Sequence, residues 1–191
     1  VMPNTVAFVI SFYGVLKAGG VVAATNPTYP EGKMAYQIND CDAKFAIVMS
    51  LFYKLMKRIQ PKTKVETVIV TNVKEYLPGT ARLLFTLARE KKDGHFVEAL
   101  SSGDHWFQSI LTKYGGQKSN VKVMPEDLCI FQYTGGTTGV SKAAMSQHSA
   151  LVANVLQQRA FLEVDGVPGD KEVFLGAIPM FHSFGMIAVL S

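Results

Sequence analysis

A short apolar stretch, Leu128-Cys129-Ile130-Phe131, runs straight into Gln132-Tyr133-Thr134-Gly135-Gly136-Thr137-Thr138-Gly139-Val140-Ser141-Lys142. Three glycines, three threonines, a serine and a lysine fall within the nine positions from 134 to 142, with Val140 the ninth residue. The apolar stretch reads as a buried strand, so the run after it is a loop at that strand's end. Glycine lets backbone N–H groups approach a ligand closely and tolerates positive φ. Successive inward-pointing N–H groups form an anion nest, and threonine hydroxyls add neutral donors. Lys142 adds a mobile point charge, which suits a polyphosphate better than a single carboxylate. These residue types together predict a phosphate cradle, whereas the Gly-Gly pair by itself reads equally as a hairpin turn. The spacing from Gly136 to Lys142, with Ala143 after the lysine, excludes a GxxxxGK[ST] loop.

The string resembles the phosphate loop of the adenylate-forming enzymes: acyl-CoA synthetases, luciferases and peptide-synthetase adenylation domains. There it runs roughly Tyr-Thr-Ser-Gly-Thr-Thr-Gly-x-Pro-Lys-Gly. Here Gly135 stands for the usual serine, Ser141 for the proline and Ala143 for the glycine, a form most like the long-chain fatty-acid–CoA ligases. A second stretch, Pro179-Met180-Phe181-His182-Ser183-Phe184-Gly185, resembles the motif whose aromatic–histidine pair lines the acyl-adenylate pocket. A third, Gly14 to Gly20 followed by Asn26-Pro27, resembles an element that is mostly structural in that family.

The resemblance implies an α/β fold with mainly parallel sheets flanked by helices, part of a large N-terminal domain. It implies that a fatty acid attacks the α-phosphate of ATP, giving acyl-adenylate and pyrophosphate, and that coenzyme A then displaces AMP. Thr134, Gly135, Gly136, Thr137, Thr138, Gly139 and Lys142 would bind the ATP phosphates that leave as pyrophosphate. Mg2+ would share that charge with Lys142, with Thr134 touching the metal. Phe181, His182 and Gly185 would line the acyl-adenylate pocket. An adenine motif, a threonine–glutamate pair, a ribose-binding aspartate, a C-terminal lysine and most of the coenzyme A contacts are implied beyond Ser191. The 191 residues alone are therefore not expected to turn over.

Along the chain, Asn4 or Thr5 can cap a helix reaching about Ala18 and stopped by Gly19-Gly20. Val21–Ala24 then reads as a short strand, and a helix follows to about Asp40. A strand over Lys44–Met49, a helix over Leu51–Ile59 and a strand over Thr67–Thr71 come next. This alternation argues for a parallel sheet covered by helices. Helical periodicity returns from Glu75 to about Lys92, broken at Pro78-Gly79, and again over Trp106–Tyr114. After the loop, Ala143–Ser146 reads as a return strand and Ser149 as the N-cap of a helix. A strand over Glu172–Ala177 and a final helix complete the chain. The expected division is an α/β part over 1–125, with a basic insertion near 75–122, and the start of a second α/β part over 126–191.

A histidine in an apolar stretch is usually a satisfied core residue, but Pro179 and Gly185 mark a bend that could aim His182 into a cleft. His95 and His105 have no second ligand at metal-binding spacing and are expected at the surface. Cys41 and Cys129 sit in apolar surroundings, as buried small hydrophobes rather than a disulfide pair, which points to a reducing, cytoplasmic setting. A hydrophobic fraction of 48% with 18% charged residues excludes a disordered chain.

Net charge is +4, but residues 54–92 hold ten cations against three carboxylates. Such a segment fits a solvated face, an anionic membrane surface touched peripherally, or nucleic acid. Aromatics and arginines are not interleaved as in a nucleic-acid module, so no nucleic-acid partner is expected. The apolar run Val6–Leu16 is too short to span a bilayer. No start is visible at Val1, and the sequence stops at Ser191 inside an apolar segment with no polar tail, so a fragment of a longer protein is expected. The competing functions are a nucleotide-binding module of the same fold without ligase activity, and a ligase for a medium-chain or aryl acid.

Overall fold

The computed structural model describes residues 1–134, 141–163, 173 and 175–190. They group into two units: residues 1–11 with 25–119, and residues 12–24 with 120–191.

Helix α1 spans Val6–Lys17. Thr5 Oγ1 accepts the Phe8 amide at 3.3 Å, as the capping expectation requires. Gly19 ends the helix with φ +73°, and the Gly20 amide returns to the Val15 carbonyl at 2.9 Å.

In the first unit, β1 (Phe45–Met49) and β2 (Thr67–Thr71) pair in parallel, and β3 (His105–Trp106) adds a third parallel strand beside β2. Parallel neighbours need crossover connections, and helices supply them. Helix α2 (Glu31–Asp40) precedes β1, and α3 (Tyr53–Ile59) joins β1 to β2 after a 3-10 turn at Ser50–Phe52. Side chains alternate along a strand, so Ala46, Val48, Val68 and Val70 share a face. They pack into one buried cluster with Met34 and Ile38 of α2 and Met56 and Ile59 of α3. After a 3-10 turn at Val73–Tyr76 come α4 (Gly79–Ala88) and, past β3, α5 (Phe107–Tyr114). Sequence periodicity alone does not reveal β3, because two residues are too few to display a period.

Two polar knots fasten these crossovers. The Asp104 side chain, 1% exposed, pairs with Lys57 Nζ at 2.9 Å. It also accepts from Tyr53 Oη at 2.7 Å and from the Val68 amide at 2.9 Å. Glu90, 5% exposed, takes Lys74 Nζ at 2.7 Å and Asn72 Nδ2 at 2.9 Å. His95 is half-buried rather than a surface residue: its Nδ1 lies 3.0 Å from Ser50 Oγ, and its ring packs edge-on against Phe85. Burial lowers its pKa, against the pull of Asp93 and Glu90. His105 is exposed, as expected.

In the second unit, β4 (Leu128–Tyr133) pairs antiparallel with β5 (Ala143–Gln147). The expected strand at Val21–Ala24 reduces to one parallel bridge: the Val22 amide reaches Cys129 O at 2.8 Å, and the Phe131 amide reaches Val22 O at 2.9 Å. Cys129 is fully buried, which raises its thiol pKa, and donates to Ser146 O at 3.2 Å; Cys41 is half-buried and likewise free. Helix α6 (His148–Glu163) starts one residue before the expected cap, so Ser149 lies in its first turn and gives its amide to Pro125 O. Helix α7 covers Ser183–Leu190. Of the strand expected at Glu172–Ala177, residues 172 and 174 lie outside the described residues, and the rest is not strand.

Asp104 offers a test of the fold. Burial raises its pKa, but Lys57, Tyr53 and the Val68 amide outweigh that, so its carboxyl titrates below the ordinary range. A depressed carboxylate stabilises fully above its unfolded pKa of about 3.9 and loses that contribution as pH falls through the folded value. Asp104→Ala is expected to cost about 3 kcal/mol at neutral pH, since it leaves buried donors without a partner. Urea unfolding at pH 7 and again near pH 3 should show the difference from wild type shrinking with acid. A constant difference would mean the carboxylate charge is not what stabilises.

Candidate functional site

The loop springs from a hairpin whose neck is well defined. In the β4–β5 ladder Tyr133 stands opposite Ala143, and the Thr134 amide donates to the Lys142 carbonyl at 3.0 Å. Ser141 Oγ donates to the Thr134 carbonyl at 2.7 Å, and Thr134 Oγ1 donates to the Lys142 carbonyl at 3.4 Å. Val22 holds the other edge of β4, so the strand that launches the loop is fixed on both sides. Gly135, Gly136, Thr137, Thr138 and Gly139, and Val140 with them, lie outside the described residues.

Thr134 and Lys142 both keep exposed side chains at this neck. Among the described residues Lys142 has no carboxylate within ion-pairing distance. A cation left unpaired beside a strand end and a hydroxyl is a donor set for an anion. It is not by itself a metal site, because no group of three His, Cys, Asp or Glu side chains comes together among the described residues. Sequence reasoning noted Ser141 only as a departure from the usual proline. Its hydroxyl closes the neck with a hydrogen bond that proline could not make.

The second motif is a tight turn into α7. The His182 amide donates to Pro179 O at 3.0 Å, and the Met186 amide donates to His182 O at 2.8 Å. Phe181 is half-buried and His182 exposed, so its imidazole is not a satisfied core group. Gly185 is buried, and a Cβ there would lie 2.2 Å from the Pro179 carbonyl oxygen. Only glycine fits that approach, so Gly185 shapes the turn that presents Phe181 and His182. Whether His182 shares a cleft with the loop depends on residues 135–140, outside the described ones. Sequence reasoning also passed over His148, whose Nε2 is buried without a partner among the described residues. Its place at the β5–α6 junction was legible; its burial was not.

A family profile described as AMP-binding enzyme matches residues 1–191. The long-chain-fatty-acid–CoA ligase of Bacillus subtilis is 34% identical over 192 residues, covering 100% of this chain and 34% of that protein. The Salmonella typhimurium enzyme of the same name is 34% identical over 193 residues, covering 97% of this chain and 33% of its own length. The chain thus spans about a third of the curated relatives it matches. Among solved structures, a long-chain-fatty-acid-CoA ligase from Archaeoglobus fulgidus superposes with a TM-score of 0.69 at 29% identity, covering 97% of this chain and 31% of that one.

The turn geometry yields a paired expectation. Gly185→Ala should destabilise by about 1–3 kcal/mol, because the backbone at Pro179 must move. Gly32→Ala, where nothing lies within 4 Å of the new methyl, should be neutral or gain up to about 1 kcal/mol from helix propensity. Thermal melting of both variants checks this, and equal melting temperatures would show that the close approach at Pro179 does not hold.

Proposed function

This chain belongs to the AMP-binding enzyme family, and on that premise we propose that it is part of an ATP-dependent acid–thiol ligase acting on long-chain fatty acids. The observation that carries this is the closed hairpin neck. It places an exposed hydroxyl, and a lysine with no carboxylate partner among the described residues, at the two ends of a glycine–threonine loop. Adenylation leaves most of its new charge on the departing pyrophosphate, so positioning and electrostatics dominate that step. In this proposal Lys142 meets the β- and γ-phosphates as a point charge. Loop amides and threonine hydroxyls, Thr137 and Thr138 among them, supply neutral hydrogen bonds. Ser141 keeps the two loop ends together so that these donors converge.

The donors present fit ATP's phosphates. Magnesium would arrive with the nucleotide, held mainly by phosphate oxygens with Thr134 as a protein ligand, and would supply charge neutralisation. Phe181 and His182, presented by the Gly185 turn, would line the acyl-adenylate side, and coenzyme A would be bound mainly by parts of the protein beyond this chain. No helix among the described residues is long and apolar enough to cross a membrane; the proposed setting is the cytoplasm.

ATP–pyrophosphate exchange in the intact protein, with a long-chain fatty acid and with an aryl acid in parallel, tests the reading. Exchange dependent on the fatty acid is expected; exchange with neither acid would favour a nucleotide-binding module. Lys142→Ala should lower the exchange rate about ten- to a thousandfold, the range for one lost electrostatic contact of about 1.4–4 kcal/mol. Its melting temperature should not change, because an exposed loop lysine contributes little to stability. An unaltered rate would remove Lys142 from the mechanism, and a collapsed melt would make it structural.

A further inference from the structure

The carboxyl ends of β1 and β2 lie side by side, Met49 opposite Thr71. A cleft of about 210 Å³ opens there against the first turn of α1. Its floor is sealed: Ala7 and Met49 are 1% exposed, Thr71 0% and Asn72 3%. Val73 and Leu77, both half-buried, line it further out, and the exposed Asn4 and Val6 stand at its mouth. All of these residues belong to the first unit. Open α/β sheets receive their ligands at this edge, outside the carboxyl ends of the strands.

The chemistry of the lining selects the ligand. Thr71 Oγ1 donates to Glu75 at 2.8 Å. Asn72 Nδ2 donates to Glu90 at 2.9 Å and to the His95 carbonyl at 3.2 Å, and its Oδ1 accepts the Lys74 amide at 3.2 Å. Thr5 Oγ1, nearer the mouth, accepts the Phe8 amide at 3.3 Å. A polar group reaching the floor would have to displace one of these bonds, and a buried partner left over is costly. Hydrocarbon displaces none of them, and Ala7, Met49, Val73 and Leu77 give it apolar contact. Among the described residues, none that lines the cleft is charged. Size narrows the choice further. A closed apolar cavity of about 150 Å³ takes up benzene, whereas sites that enclose a whole drug-sized ligand run to about 300–1,000 Å³. At about 210 Å³ with an open mouth, this cleft fits the end of a chain whose remainder stays outside.

We propose that this cleft is an accessory site for the tail of an uncharged amphiphile, a straight hydrocarbon chain that enters past Val6 and ends on Met49. It draws on none of the loop residues, which belong to the second unit, and needs neither nucleotide nor acid. Methyl NMR of the intact protein, labelled at methionine and valine methyls, tests it. The probe is 1-octanol, with triethylene glycol as a polar molecule of similar length. The Met49 and Val73 signals should shift saturably with 1-octanol and stay in place with triethylene glycol. Val6→Trp sets an indole at the mouth, and Leu77→Ala removes an apolar wall. Each should weaken binding about tenfold or more, equivalent to about two lost methylene contacts. Val6 is 52% exposed, so Val6→Trp should melt like wild type; should Leu77→Ala melt early, Val6→Trp alone decides. Unshifted Met49 and Val73 signals would overturn the proposal, including where another part of the intact protein already fills the cleft. So would shifts that spread over all methyls without saturating, an equal response to triethylene glycol, or wild-type affinity in Val6→Trp. Each of these outcomes leaves ATP–pyrophosphate exchange, and the ligase reading, untouched.

Discussion

A glycine-rich loop has little conformational preference of its own, so it can present donors to a ligand only if both ends are held. Here that holding is done by β4. Its amides and carbonyls are shared between β5 on one edge and Val22 on the other. Cys129 and Ile130, at 0% and 3% exposure, anchor its side chains. The neck bonds among Thr134, Ser141 and Lys142 then set the separation of the loop's ends. Proline at position 141 would stiffen one arm through its fixed φ; serine instead ties the two arms together. The departure from the family's usual residue is therefore a change in how the neck is closed, not its loss.

The first unit solves a different problem. Parallel strands cannot be joined by tight turns, and each crossover must be secured where it meets the sheet. Apolar packing supplies the bulk of that, through α2 and α3 on the valines of β1 and β2. It has no direction along the strands, however, and slippage would leave valines buried against different neighbours. Asp104 supplies direction. One carboxylate binds the amide of Val68 in β2 and the side chains of Tyr53 and Lys57 in α3, one residue before β3 begins. The Glu90 knot does the same for the segment that carries α4.

Much of this was legible in the residues because local and long-range demands agree. The Thr5 cap, the Gly19 stop and the five-residue valine- and isoleucine-rich strands each carry a local signal that packing reinforces. What was misread lacks such a signal. Val21–Ala24 is apolar enough for a strand, yet among the described residues it contributes a single β-bridge, at Val22. His95 looks like a surface residue because nothing nearby in sequence announces Ser50, forty-five residues away. Ser149 resembles an N-cap, but the carbonyls of Pro125 and Asp127 already receive the first amides of α6. In each case the deciding partner is remote in the chain, where neither periodicity nor propensity reaches.

The histidine motif shows how a functional string can be explained by backbone sterics first. Gly185 invites a role against substrate because it ends the motif, but the Pro179 carbonyl lies where its side chain would begin. Proline and glycine are thus a matched pair: one fixes the entry of the turn, the other lets the first turn of α7 close on it. Between them, His182 donates its amide to Pro179 and accepts from Met186, so its backbone is fully committed while its imidazole stays exposed. A side chain with a fixed root and a free tip can meet a ligand without first giving up an internal bond. The composition of the motif therefore follows from the need to hold one imidazole outward, whatever it meets there.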